Sequence, residues 1–516
     1  MASGISEFLW RGFVRGFLST RSDLIVRLVL VSEWCCAVKD QKTVLGGRAD
    51  GLPDPGNNWE TFPMLTLQGS RDGRGAGMGR RNFLKIGGLS LGGLSLPQVL
   101  QAEAQAGAAA KQKSVIMIFL VGGASHIDMF DMKPDAPSEV RGQYKPIDTN
   151  VPGIQICDRL PKLAQVMDKL VLLRSLVGGT DHFAHVCLSG YPGPTGKNGS
   201  VDWPSFGSMV SKVQGPAKVG VPPFVSLTPQ MTYPPWGLAG PPGFLGPAHA
   251  PFQPRRRGGD DVLLQDMTLD GMSLDRLSDR KALLSSFDRF RRSVDTSGVM
   301  EGMDTYTRNA FDVITSRKLV EALDLEREDP RVRARYGYGS SENVASGACR
   351  CMDHFLLARR LVEAGVRVVS LAFGHWDWHS DQYEYLKGDI PPFDQGFSAL
   401  IEDLYERGLD QDVSVVAWGE MGRTPQINAR AGRDHWPQVS TALLSGGGMT
   451  TGQVIGATDR LGEAAVERPV HYQNVFSTFY HKMGINPHTT KVPYERFGQL
   501  ERLHLLDKRD PVPELL

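Results

Sequence analysis

His375-Trp376-Asp377-Trp378-His379 is the segment of this chain best equipped for chemistry. In an extended backbone, residues two apart share a face, so His375, Asp377 and His379 would point one way and the two tryptophans the other. Two imidazoles and a carboxylate on one edge suit Zn²⁺, Mn²⁺ or Fe²⁺. The competing reading is a polar loop whose histidines bond the backbone while the tryptophans pack. Other reactive groups stand in separate stretches: Ser125, His126 and Asp128; Thr180 to His185; Glu420 and Arg423; Asp434 and His435. On a helix, His182 and His185 would share a face three residues apart, to bind metal, position substrate or merely decorate a loop. Thr180 is a candidate nucleophile, although hydroxyls ahead of helices more commonly cap them. Asp128, in its Gly-Gly-x-Ser loop, has a similar alternative as a capping carboxylate. There is no P-loop, no Gly-x-Gly-x-x-Gly after a strand, no Gly-x-Ser-x-Gly elbow and no His-Glu-x-x-His.

These groups fall in loops after apolar runs that read as strands. Lys113 to Val121 is continuously apolar and ends in Gly122-Gly123, as a buried parallel strand does. Leu170 to Leu173, Val366 to Phe373, Val413 to Trp418 and Thr441 to Leu444 read as further strands. Leu160 to Met167, His354 to Ala364, Phe393 to Arg407 and Val475 to Met483 read as helices, the second closed by Gly365 and the third by Gly408. Ser273 to Glu326 has helical periodicity with alternating charge. The alternation predicts an α/β fold: one large domain whose mostly parallel sheet is covered by helices on both faces. In such sheets ligands bind beyond the carboxyl ends of the strands, where the His, Asp and Glu loops fall. Residues 192–259, rich in Pro and Gly and including Arg255-Arg256-Arg257, read as an insertion bordering the site.

The N-terminal region speaks to destination. Arg80-Arg81-Asn82-Phe83-Leu84-Lys85, a Gly-diluted apolar stretch from Ile86 to Leu100 and a small-residue exit at Ala104-Gln105-Ala106 read as a twin-arginine export signal. The apolar stretch is too short to span a bilayer. The expected organisation is a doubtful extension over 1–63, a signal over 64–106 with Met64 as the working start, and the domain over 107–510. Periplasmic or extracellular residence follows. The chain carries 57 basic and 57 acidic residues, so no long-range field draws it to nucleic acid or an anionic membrane. Cys157, Cys187, Cys349 and Cys351 form neither a disulfide framework nor a zinc pattern.

Several motifs taken together resemble a known family. They are Arg80–Lys85, Phe119 to Asp128, Leu188-Ser189-Gly190-Tyr191-Pro192, Gly419 to Pro425 and Gly432 to Pro437. The chain from about Met64 onward is similar to the bacterial exported family catalogued as domain of unknown function 1501, placed in the alkaline phosphatase and sulfatase superfamily. The resemblance implies an alkaline phosphatase-like domain holding a divalent metal such as zinc, manganese or calcium. It implies hydrolysis of a phosphate or sulfate ester, carried by a small molecule or glycan, and hints at an exported cytochrome-like partner. Counting back from Leu188–Pro192 places the nucleophile position at Thr180, without the sulfatase Cys-x-Pro-Ser-Arg context. Gly419-Glu420-Met421-Gly422 falls where the superfamily has Ser-Asp-His-Gly, and Gly122 or Gly123 where it has a first-strand Asp. One metal, or a rearranged pair, is therefore the expectation. Its ligands would come from His375, Asp377, His379, Glu420 and His435, with Asp128 or His126 as substitutes. Thr180 or water would attack, Arg423 would steady the oxyanion, and His182 and His185 would assist. The alternative is a non-catalytic envelope binding or assembly protein on a degenerate scaffold of this type.

Overall fold

Strands that read as unbroken apolar runs are buried on both faces because alternate side chains enter two different cores. In the computed structural model, Ser114–Leu120 (β1) is buried throughout. Ile116, Ile118 and Leu120 join one apolar cluster, and Val115, Met117 and Phe119 join the other. The structure describes residues 112–193, 202–237, 240–254, 316–496 and 499–516, and two short strands, Val26–Leu28 and Leu65–Leu67, that pair antiparallel. The twin-arginine motif, its apolar stretch and exit, Arg255–Arg257 and most of the helical pattern over 273–326 lie outside the described residues. Residues 111–516 form one compact unit.

The other strands of the main sheet are Leu170–Val177 (β2), Phe224–Ser226 (β3), Val368–Phe373 (β4), Val413–Trp418 (β5), Ser440–Gly446 (β6), Gln453–Ile455 (β7) and Val470–His471 (β8). Their order is β7-β2-β6-β5-β1-β4-β3, with β8 also against β2. Every pairing is parallel except those of β6, which runs against both β2 and β5. The expected α/β class and mostly parallel sheet are thus present. β1, β2, β4 and β5 run the same way, so the loops after them open on one edge.

Helices cover both faces. Asp353–Ala364 (α2) and Gln382–Glu406 (α3) bring Phe355, Leu361, Phe393 and Phe397 to one core. Phe206–Gln214 (α1) and Tyr472–Lys482 (α4) bring Phe206, Met209, Val475 and Phe479 to the other. Ser205 caps α1 through the Ser208 amide, and Gly365, at φ 119°, closes α2. Two expectations need correction. α3 starts well before Phe393 and runs through Pro391 and Pro392, because buried Tyr383, Leu386 and Ile390 anchor its first turns. The Pro/Gly-rich segment is also no mere border: α1 and the sheet's edge strand β3 lie within it. Proline density there concealed a strand only three residues long. Among the described residues, no helix is long and apolar enough to cross a membrane.

Candidate metal centre

Two loops and one hairpin converge at the carboxyl edge of the sheet. The loop after β4 carries Asp377 and His379, and the loop after β2 carries Asp181 and His182. The segment after β5 folds into a two-residue hairpin, Gly422–Arg423 against His435–Trp436, whose register sets Arg423 beside His435. Nε2 of His379 lies 2.9 Å and Nε2 of His435 3.1 Å from Oδ1 of Asp377, and the two nitrogens are 2.9 Å apart. Each ring is gripped on its far side. Asp434 Oδ1 lies 2.6 Å from Nδ1 of His379, and Asp181 Oδ1 2.8 Å from Nδ1 of His435.

That pattern decides what the centre can hold. A carboxylate accepts only, so Asp434 and Asp181 place the imidazole protons on Nδ1 and leave both Nε2 atoms as lone-pair acceptors. Two nitrogens and a carboxylate oxygen then face one another, and the protein's answering donor is Arg423, which also contacts Asp377 Oδ1. Three acceptors this close repel unless a cation sits among them. A metal bound at about 2.0–2.2 Å from each atom fits just above a triangle with these edges. Carboxylate–histidine–metal relays are the usual outer shell of such sites. The donor set therefore suits a divalent metal. Asp181, His182 and His435 form a second close group that shares His435.

The electrostatics agree. Burial would raise the Asp377 carboxyl, but His435 and Arg423 hold it well below the usual carboxylate range. Asp434 is lowered chiefly by its bond to His379. His182 is lowered by burial against the opposing pull of Asp377, so its neutral form is favoured. Its Nε2 stands 3.8 Å from Asp377 Oδ2, and its ring meets His435 with centroids 4.1 Å apart.

The other expected site residues fall elsewhere. His375 does not join Asp377: the segment turns within itself, the Trp378 N–H donating to the Trp376 carbonyl at 3.1 Å, and the His375 ring lies among Trp236 and Trp378. Glu420 is fully buried, its Oε1 accepts the Trp236 indole N–H at 2.8 Å, and burial pushes its carboxyl up to about 8. It lies outside the metal cluster. Asp128 accepts Arg433 at 2.6 and 2.9 Å, Tyr383 at 2.9 Å and Ser125 at 2.6 Å, which leaves no oxygen for a metal. His126, wholly buried, bonds the Gly462 carbonyl at 2.9 Å. His185 shares no helical face with His182, which sits at φ 52° ahead of the helix His185–Ser189; burial lowers His185 to about 4. The Thr180 hydroxyl donates to the Phe183 carbonyl at 3.3 Å and touches no base that could activate it. Arg423 is 1% exposed, and its donors go to Gly122, Gly123, Arg433 and Asp377, so it clamps Asp377 rather than facing an oxyanion.

Gly122, where the resemblance would set an Asp, approaches Asp377 closely. At φ 90°, a Cβ there would lie 2.8 Å from Asp377 Cβ, so Asp377 fills the room that such a side chain would need. Sequence reading passed over Asp181 as a site residue; its place beside His182, in a loop following a strand, was the available signal.

An α/β domain with an imidazole–carboxylate cluster at the carboxyl edge of its sheet is the class that fold and site define. Within it, the chain belongs to the family described as Protein of unknown function (DUF1501), whose model matches residues 112–516. No curated protein matches the sequence. Among solved structures it is similar to Ps i-CgsB in complex with k-i-k-neocarrahexaose, at 11% identity and TM-score 0.33, over 72% of each chain. It is also similar to PsFucS1 sulfatase from Pseudoalteromonas sp., at 11% identity and TM-score 0.31, over 76% of this chain and 72% of that one.

Proposed function

We propose that this protein is an exported, metal-dependent hydrolase of a phosphate or sulfate ester. The observation that carries the reading is the mutual approach of His379 Nε2, His435 Nε2 and Asp377 Oδ1 within 3.1 Å, each ring held from behind by a carboxylate. His379, His435 and Asp377 would hold the ion, and the two imidazoles favour zinc or manganese over calcium, which prefers oxygen alone. When bound, a divalent ion polarises an ester oxygen and lowers the pKa of a water. Arg423 keeps Asp377 oriented through its N–H donors. His182, neutral and half-buried beside the cluster, is placed to accept and return a proton. With Thr180 bonded to a carbonyl, water is the better nucleophile.

Charge favours a sulfate ester. Asp181, Asp377 and Asp434 against Arg423 and Arg430 leave one negative charge, so one divalent ion makes the centre singly positive. A singly positive centre is balanced by a monoanionic sulfate monoester, whereas a dianionic phosphate overfills it. The test is elemental analysis of protein purified after native export, followed by turnover of aryl sulfates and aryl phosphates. Metal at one equivalent with sulfatase turnover is the expected result; a metal-free protein inert to both would refute the reading. Export rests on Arg80–Lys85 and the exit at Ala106, and is checked by sequencing the mature N-terminus, expected near Gly107. A cytochrome-like partner rests on the family resemblance alone and is checked by co-purification from the envelope fraction.

A binding protein on a degenerate scaffold is the second reading, favoured by the full commitment of Arg423 and Thr180 to other bonds. It predicts bound metal and no turnover.

A further inference from the structure

Four aromatic side chains stand exposed among the described residues, and two of them make ring contacts that lead to the metal centre. They are Tyr233 and Tyr385, at 37 and 44% exposure; Phe183 and Tyr338 take no part in the centre's ring contacts. Tyr385 stacks on Trp378, the neighbour of both Asp377 and His379, with centroids 4.0 Å apart and planes 10° from parallel. Tyr233 meets the edge of His182 at 5.4 Å and of Trp236 at 4.9 Å. Trp236 contacts His375, and His375 contacts Trp378. An unbroken run of rings thus joins the two exposed tyrosines along the wall of the centre.

The polar groups at this mouth have a definite character. Asp181 and Asp434 are 63 and 50% exposed, and each spends Oδ1 on an imidazole, leaving Oδ2 as a free acceptor facing water. Flat apolar faces beside hydroxyl acceptors, with the ring clamp Arg423 buried, match a ligand that is apolar on its face and rich in O–H donors at its edge.

We propose that Tyr385 and Tyr233, with Asp181 and Asp434, form a subsite for a pyranose ring carried by the substrate. The inference rests on the ester reading for where the scissile bond lies, while ring binding itself needs no turnover. The sugar's C–H face packs on Tyr385, and its hydroxyls donate to the free carboxylate oxygens. Binding pockets that combine aromatic walls with a few placed polar atoms work in this way.

Cellohexaose, mannohexaose and neoagarohexaose, all unesterified, are titrated by calorimetry into the metal-loaded protein. At least one should bind, and Tyr385→Ala should weaken that binding by about tenfold, equivalent to roughly 1.4 kcal/mol. Tyr233→Ala should weaken it less, and Tyr338→Ala should leave it unchanged. Metal content should stay the same in all three variants. No binding of any hexasaccharide, or equal binding by Tyr385→Ala and wild type, overturns the subsite. Sugar binding without turnover of any ester overturns the hydrolase and leaves the subsite standing.

Discussion

Two centres at the same edge of the sheet use the same residue types to opposite ends. Around Asp128, a buried aspartate meets a buried arginine, and every oxygen is answered: Arg433, Tyr383, Gln382 and Ser125 all donate to it. Around Asp377, an aspartate also meets a buried arginine, yet two imidazole nitrogens crowd the same oxygen with lone pairs turned inward. The first centre is closed and holds structure. Arg433 ties the loop of Asp434 and His435 to the turn after β1. The second centre is left short of positive charge, and that shortage is what gives it chemistry. Side-chain type does not separate them; the balance of donors and acceptors does.

Removing a group from each centre is the sharpest way to break the contrast. His379→Ala should abolish stoichiometric metal while leaving the urea midpoint of the metal-free protein close to wild type; full metal retention would erase the distinction. Asp128→Asn should do the reverse. Breaking one partner from a buried pair costs about 3–5 kcal/mol of stability, read by urea unfolding, while the folded fraction keeps its metal. The Asp128 carboxyl is held below its ordinary value by Arg433, against the opposing effect of burial. Its stabilisation is therefore present above pH 3.8 and is lost as pH falls through the lower folded value.

Smaller effects sharpen the comparison. Asp434→Asn should weaken metal affinity by about 10–100-fold, the usual cost of an outer-shell partner, measured by competition with a chelator. Glu420→Gln concerns pH. The folded carboxyl keeps its proton up to about 8, whereas the unfolded one loses it near 4.5. Wild-type stability should thus fall as pH rises between these values, and the glutamine variant should escape that loss. Melting curves at pH 5 and pH 8 should show the variant's advantage growing with pH, with metal content unchanged.

Much of the scaffold was legible because burial on two faces leaves a strong imprint. Val413–Trp418 appears at its expected bounds, and β1, β4, α2 and α4 differ from expectation by a few residues at their ends. α3 was cut short because prolines outweigh packing in a local reading. β3 was hidden because three apolar residues between prolines carry no period. The site was legible in part. Asp377, His379 and His435 were singled out and do meet. His375 was grouped with them by an alternation that the turn from Trp376 to Trp378 interrupts. Glu420 and Asp128 carry the right atoms, but Trp236 and Arg433, distant in the chain, had already taken them.

Residue types and their periods were enough to establish a two-faced sheet and a supply of imidazoles and carboxylates in the loops at one edge. They could not say which of those groups would share a cation. Ligation depends on ångström distances and on which hydrogen-bond donors are already spent, and both are set by contacts between segments up to about 300 residues apart, as when Arg423 reaches the carbonyl of Gly123. Chain-local patterns carry no record of such contacts, so the division between a closed ion pair and an open metal site exists only once the loops are packed together.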